Sequence, residues 1–456
     1  MKFDAMFAVI AMREVIFFAN VARRLKEKNG IESLFLTFYQ PGDRYLKDNG
    51  FHVASLHGEI RYEGIDISPV AVRAFEERHE LSSIRDLLRH EMLTHRRFDE
   101  PRLIRKTLAY ERYFLKLFRE LGISCCVQEL GGFIAPLALY YCARHEKVRH
   151  IFLEPSMFRS MLFFNEDSTE VQIRPSGPYS AELRRSVDAY LQSYRDNKMV
   201  LVPQKDAHHF HDMGLRKMVN KRNLVQLSRK LANKYIMGYA EEYDAIYQQV
   251  RERWLMLARR AALSRSYAEP DYSRLYVYFP LHVPLDFQLT VREPRFLNQM
   301  SLAGLISDLL PFGYDLYIKE HPASVGGYSW AMLRDLLRRP NVKLIHPRTN
   351  SFDLIAHSRL VITVNSKVGA EALMQGKRVV VLGKTYYRDA PGAHAVRDLD
   401  ELRPVLERGL QDTPSNHDGS AFFYRVYAAS RQGELYDNSE QNVESFSREL
   451  LEVLDR

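Results

Sequence analysis

Two short stretches constrain this chain more than any other part of it: Lys319-Glu320-His321-Pro322, and Val364-Asn365-Ser366-Lys367-Val368-Gly369-Ala370-Glu371-Ala372-Leu373. Each follows an apolar, β-rich run, Tyr314 to Ile318 and Leu360 to Val364, so each reads as a strand-to-helix junction. Carboxyl ends of strands are where α/β proteins place their ligands. At the first junction Pro322 removes a backbone donor and turns the chain outward, which holds the imidazole of His321 at the sheet edge. At the second, Asn365 and Ser366 are good N-cap residues for a helix from about Val368 to Gln375, whose first-turn amides would face an anion. A third strand, Arg378 to Leu382, follows Gly376 and completes a β-α-β unit.

The same alternation opens the chain. A strand Ala5 to Ile10, a helix Glu14 to Lys28 closed by Asn29-Gly30, and a strand Ser33 to Phe38 are followed by His52 to Leu56. A largely helical, charged stretch runs from Val70 to Glu120, and the strands resume at Ser124 to Gln128 and His150 to Leu153 around a helix Ala135 to His145. Ser180 to Ser266 reads as helical, and the alternation restarts with Leu275 to Phe279. With 456 residues the chain is too long for one core and suggests two domains of roughly 200 residues. The expected division is 1–265, an α/β domain with a helical insertion; 270–400, a second α/β domain; and 401–456, C-terminal helices that pack back on the first domain.

Composition narrows the class. A hydrophobic fraction of 46% with 12% aromatics supplies ample core and excludes wholesale disorder. No run approaches the ~18 consecutive apolar residues of a membrane span, and the amino terminus lacks signal-peptide features, so the expected location is the cytoplasm. Cys125, Cys126 and Cys142 have no C-x-x-C spacing, which argues against a disulfide framework or zinc site. The net charge of +8 favours anionic partners. Its concentrations, Arg216 to Arg229 and Arg251 to Arg265, read as solvated helix faces or, functionally, as contact with an anionic membrane surface or acidic polymer. No zinc-finger or RNP-type signature points to nucleic acid. His208-His209-Phe210-His211-Asp212 has no matching distant ligand and reads as surface histidines, and no metal or cofactor is expected.

Taken together, Tyr278-Phe279-Pro280-Leu281-His282 with Asp286, then Lys319-Glu320-His321-Pro322, then Asn365-Ser366-Lys367-Val368-Gly369 with Glu371-Ala372-Leu373 and Gly376-Lys377, resemble the capsule polysaccharide biosynthesis family, which includes bacterial β-Kdo transferases. The similarity covers Leu275 to Tyr387 well and the first half by layout alone. It implies a GT-B-like fold, two Rossmann-like α/β domains facing a cleft, with a helical middle segment and C-terminal helices. It further implies a glycosyltransferase of capsule or surface polysaccharide biosynthesis, moving Kdo or another acidic sugar from a CMP-activated donor to a glycan- or lipid-linked acceptor. The implied setting is the cytoplasm or the inner face of the cytoplasmic membrane, beside the capsule assembly machinery. By the same resemblance His321 and Pro322 face the CMP, and Ser366 with the amides after it holds the phosphate. The family turn is usually Asn-Ser-Thr-Val-Gly, and here Lys367 stands at the Thr position, exchanging a hydroxyl donor for a charge. In many GT-B enzymes a glutamate in the position of Glu371 accepts from ribose hydroxyls, against which stands a plain salt bridge.

The residues themselves suggest the chemistry. A departing nucleotide gathers negative charge, which Lys319, His321 and the helix opened by Asn365-Ser366 can meet, with Gly369 in that helix's first turn. Acid–base chemistry is expected from the other domain: Glu129, before Leu130-Gly131-Gly132, and Glu154, ending the next strand, could divide the roles as paired carboxylates do. Each could instead cap a helix or pair with an arginine. His282 and Asp286 line the cleft or stabilise a turn. Two other readings stay open, a related enzyme such as a UDP-sugar epimerase or CDP-polyol phosphotransferase, and an inert binding subunit of the assembly complex.

Overall fold

The computed structural model describes residues 2–57, 59–173, 177–202, 221–238, 245–411 and 419–455. Its strands are β1 (Lys2–Phe3), β2 (Ala5–Val9), β3 (Ser33–Thr37), β4 (His52–Ser55), β5 (Gly122–Ile123), β6 (Cys125–Glu129), β7 (Arg149–Pro155), β8 (Met161–Glu166), β9 (Leu275–Pro280), β10 (Tyr314–Lys319), β11 (Val342–Ile345), β12 (Leu360–Thr363), β13 (Val379–Val381), β14 (Ala393–Ala395) and β15 (Arg431–Gln432). They form two large sheets and a small β1–β5 pair.

The first sheet has the order β15-β8-β7-β6-β2-β3-β4. From β7 to β4 it is parallel, and β8 and β15 extend it in antiparallel fashion. All five residues of β2 are buried, the pattern of a strand covered on both faces. Helix Met12–Asn29 covers one face with Phe17, Phe18, Val21 and Leu25, and Phe114, Ile134, Ala138 and Cys142 from two later helices cover the other. The chain starts at β2, winds outward to β3 and β4, and returns to β6 on β2's other side, so the strand order reverses between β2 and β6.

The second sheet repeats this plan. Its order, β11-β10-β9-β12-β13-β14, is parallel throughout, and the reversal falls between β9 and β12. One face is covered by helices Gln299–Leu309 and Leu402–Gln411 through Leu302, Ile306, Leu402 and Leu406. The opposite face meets helix Ala181–Asp196 through Val187, Leu191 and Tyr194, and helix Ser420–Ala429 through Phe422, Phe423 and Val426. Met157, Phe158 and Phe163 of the first domain join this same core, which makes the junction between domains apolar as well as polar.

After helix Ser420–Ala429 the chain returns to the first domain. β15 pairs with β8, and helix Glu440–Leu454 lies on helix Met12–Asn29, with the Phe446 ring 5.1 Å from that of Phe17. Arg149 donates to the carbonyls of Val453 (2.6 Å) and Leu454 (3.3 Å).

The two-domain α/β plan matches the expectation. β1, β5, β8, β11, β14 and β15 lie outside the expected strands; of these β1, β5 and β15 are 2 residues each, too short for a periodic signal. Gly326 serves close packing: it adopts φ +80°, and a Cβ there would stand 2.3 Å from the carbonyl of Met256 in helix Ile246–Leu263.

Candidate functional site

The reversal points of doubly wound sheets open a crevice at the strands' carboxyl ends, and in the second sheet that crevice is framed by His282 after β9 and Asn365 after β12. The Asn365 amide donates to His282 Nε2 (3.3 Å), which puts the ring proton on Nδ1. Burial, with His321 adding to it, lowers the His282 pKa to about 3, so the ring is neutral. Asn365 also donates through Nδ2 to the Gln288 carbonyl (3.1 Å), while its Oδ1 packs against Gly383 and has no hydrogen-bond partner. Asp286 caps the short helix Phe287–Thr290, accepting from the Gln288 amide (3.2 Å).

Ser366 is the N-cap of helix Lys367–Met374: its hydroxyl accepts from the Val368 amide (3.3 Å). His321 caps the 3-10 turn Pro322–Ser324, with Nδ1 accepting from the Ala323 amide (3.2 Å), and this places a proton on Nε2. His321, Ser366 and Lys367 are half-buried, at the rim rather than in the core. Lys367 reaches across to the first domain, where Nζ donates to the Ser156 carbonyl (3.2 Å).

Three of the residues expected to bind a nucleotide turn inward. Lys319 Nζ donates to the Thr349 carbonyl (2.8 Å) and to Ser351 Oγ (2.6 Å), and burial lowers its pKa to about 8. Glu371 accepts from the Leu201 amide, and burial raises its pKa to about 7 against the opposing pull of that bond, Lys319 and Lys367. Gly369 lies under Tyr387, where a Cβ would stand 2.6 Å from the ring. The same Tyr387 donates to the Ser366 carbonyl and so pins the N-cap. Glu320, beside the expected set, is buried and accepts from the Tyr267 hydroxyl (2.6 Å) and the Gly326 amide (2.9 Å).

Across the cleft Glu154 forms a two-pronged ion pair with Arg292 of the second domain, at 3.0 and 2.6 Å. Gln288 (3.2 Å) and Asn165 (3.4 Å) donate to the same carboxylate. Burial acts to raise its pKa, but Arg292, Lys367 and Gln288 outweigh that and hold it below the ordinary carboxylate value. A carboxylate so engaged is a weak base and a strong clamp. Glu129, at the end of β6, accepts from the Tyr436 hydroxyl of the returning C-terminal segment. Beside it Glu14 accepts from the Ile10 amide (2.6 Å), and burial, then the Glu129 charge, lift its pKa to about 7. Glu14 and Glu129 therefore form a carboxylate pair at the reversal point of the first sheet.

Sequence reasoning missed Arg292, Gln288, Glu14, Tyr387 and Tyr386, whose ring lies 5.1 Å from that of Phe163 in the first domain. Glu14 had a local signal, an acidic residue in a helix's first turn five residues past the end of β2; Arg292 and Gln288 act through a partner far away in the chain and carried none. The histidine cluster 208–211 and Asp212 lie outside the described residues. Among the described residues no group of three or more His, Cys, Asp or Glu side chains is arranged to hold a metal ion, and no helix is long and apolar enough to cross a membrane.

Comparison with known proteins places these features. The chain is 30% identical over 167 residues to Protein FixF of Sinorhizobium fredii (strain NBRC 101917 / NGR234), a stretch that covers 36% of this chain and 40% of that protein. Among solved structures it is similar to the β-Kdo 2,4 transferase of Thermosulfurimonas dismutans KpsC (18% identity, 70% of this chain and 86% of that one, TM-score 0.36). It is also similar to the UDP-GlcNAc 2-epimerase of Methanocaldococcus jannaschii in complex with UDP-GlcNAc and UDP (13% identity, 94% and 99% coverage, TM-score 0.31). Neither structural likeness bears on the chemistry. A family model described as capsule polysaccharide biosynthesis protein matches residues 147–411. That span runs from β7 through the whole second sheet and takes in Glu154 and Arg292 as well as the His321 and Ser366 turns, so the chain belongs to the capsule polysaccharide biosynthesis protein family.

Proposed function

We propose that this protein is a glycosyltransferase of surface-polysaccharide assembly, transferring Kdo or another acidic sugar from a CMP-activated donor to a glycan or glycolipid acceptor. The observation that carries the reading is the rim of the second sheet's crevice. There His282 links the two turns, its Nε2 accepting from the Asn365 amide and its pKa lowered by burial and then by His321, so the proton on His321 Nε2 and the N-terminus of helix Lys367–Met374, with Lys367 at its start, face one mouth. A departing nucleotide phosphate is an anion, and a helix N-terminus with a charged and a neutral donor beside it favours that anion.

In this reaction the acceptor oxygen bonds to the anomeric carbon as the carbon–oxygen bond to the phosphate breaks. The electron pair leaves on the nucleotide, and the acceptor's proton passes to a base. Glu129 is the base in this reading, with Tyr436 orienting its carboxylate and Glu14 beside it. Glu154 acts as the clamp that sets the cleft through Arg292. Contact with the inner face of the membrane is supported by helix Lys221–Tyr235 and the residues after it: Tyr235, Ile236 and Met237 are exposed beside Arg229, Lys230 and Lys234. Basic, amphipathic surfaces of this kind bind anionic headgroups.

Thermal unfolding with CMP, CDP and UDP tests the donor. A ligand at 100 times its Kd adds about 2.7 kcal/mol to the folded state, so CMP should raise the midpoint selectively and His321→Ala should remove most of that rise. Stabilisation by UDP alone would overturn the CMP assignment. Glu129→Gln should abolish transfer while leaving CMP stabilisation intact; undiminished transfer would remove Glu129 from the mechanism.

A further inference from the structure

A cavity of about 460 Å³ lies in the first domain, away from the crevice just described. Its floor is Phe38, Leu56 and His57, the residues that follow β3 and β4, so it opens at the carboxyl edge of the first sheet. The sheet order puts two or three strand spacings between it and Glu129 at the end of β6, roughly 10–15 Å along the same edge.

Arg97, Arg102, Arg105 and Lys106 line the cavity, against Glu91 and Asp99. Glu91 pairs with Lys106 (2.9 Å), and Asp99 caps helix Glu100–Glu120, accepting from the Arg102 amide (3.2 Å). Arg102 and Arg105 lie three apart and exposed, so two like charges neighbour each other on one helix face, an arrangement that costs folding free energy. Tyr62, exposed, and Tyr110, buried, add aromatic rings to walls completed by His95 and Leu103. His57 Nε2 is buried in this wall without a hydrogen-bond partner. Guanidinium forks grip carboxylates in two-pronged fashion, and flat rings with hydroxyl edges receive the apolar faces and hydroxyls of a sugar.

We infer that this cavity binds a carboxylate-bearing saccharide. Its place on the strand-end edge shared with Glu129 makes it a holding site for an acidic unit of the acceptor, some way in from the reacting hydroxyl; that assignment rests on the glycosyltransferase reading, whereas the binding itself does not.

The test uses the full chain and titration calorimetry with trigalacturonate, maltotriose as the neutral control, and inorganic phosphate. Trigalacturonate should bind saturably, weaken as salt is raised, and bind at least 10-fold more weakly to Arg102→Gln/Arg105→Gln, in which both replaced residues are exposed and the unfolding midpoint checks the fold. Tyr62→Ala should weaken trigalacturonate and leave phosphate unchanged. Equal affinity of the arginine variant, equal binding of maltotriose, or binding of phosphate alone would overturn the inference. CMP stabilisation should be the same in wild type and variant. Trigalacturonate binding without any CMP effect would sink the donor assignment and uphold the cavity.

Discussion

At the scale of single residues, the second domain's site is built on contacts that are easily upset. Gly369 has no room for a methyl group beneath Tyr387, whose own hydroxyl fixes the Ser366 cap. Gly369→Ala should therefore cost about 1–3 kcal/mol by overpacking, read as a lower urea midpoint, together with weaker CMP stabilisation because the cap shifts. Glu371 makes a different prediction. Its pKa is about 7 in the fold and near 4.5 in the unfolded chain, so the folded state binds the extra proton between those values. Stability from this group is complete below about 4.5 and lost as pH rises through 7, by up to ~3 kcal/mol. Glu371→Gln should remove that slope: its urea midpoint should rise relative to wild type between pH 5 and pH 8. Glu14 titrates in the same window but is present in both proteins, so it cancels in the comparison. A constant difference across that range would show that Glu371 is not buried as the structure has it.

At the scale of elements, the contrast between what could be read and what could not follows from range. The strands β2, β3, β9, β10 and β12 announce themselves as apolar runs ended by polar turns, and Ser366 and His321 are legible as caps because a cap bonds within two or three residues. Glu129, Lys319 and Glu371 were correctly sited on their elements, but which way each side chain turns depends on residues brought in from 436, 349–351 and 201. The ion pair of Glu154 with Arg292 is the clearest such case. The two residues stand 138 apart in the chain, and their side chains are 14% and 5% exposed. Arg292→Met should cost about 3–5 kcal/mol, since it strands a buried carboxylate, whereas the double variant Glu154→Leu/Arg292→Met should regain most of it. Urea unfolding of the two single variants and the double forms the cycle that measures this coupling.

At the scale of the molecule, the last residues belong to the first domain. Phe446 packs among Phe17, Phe18 and Phe164, fully buried. Phe446→Ala should cost about 3–5 kcal/mol, and hydrogen exchange should locate the loss in β2 and helix Met12–Asn29 rather than in the second sheet. The return also means that the chain passes between the domains twice, once after β8 and once after helix Ser420–Ala429. A body tied to another at two points swings about the line joining them and resists other displacements. Rotation about that line would have to part Met157, Phe158 and Phe163 from the core they share with the second domain. Lys367 already bonds the Ser156 carbonyl and Arg292 already grips Glu154, so any such swing breaks contacts on both sides of the cleft together.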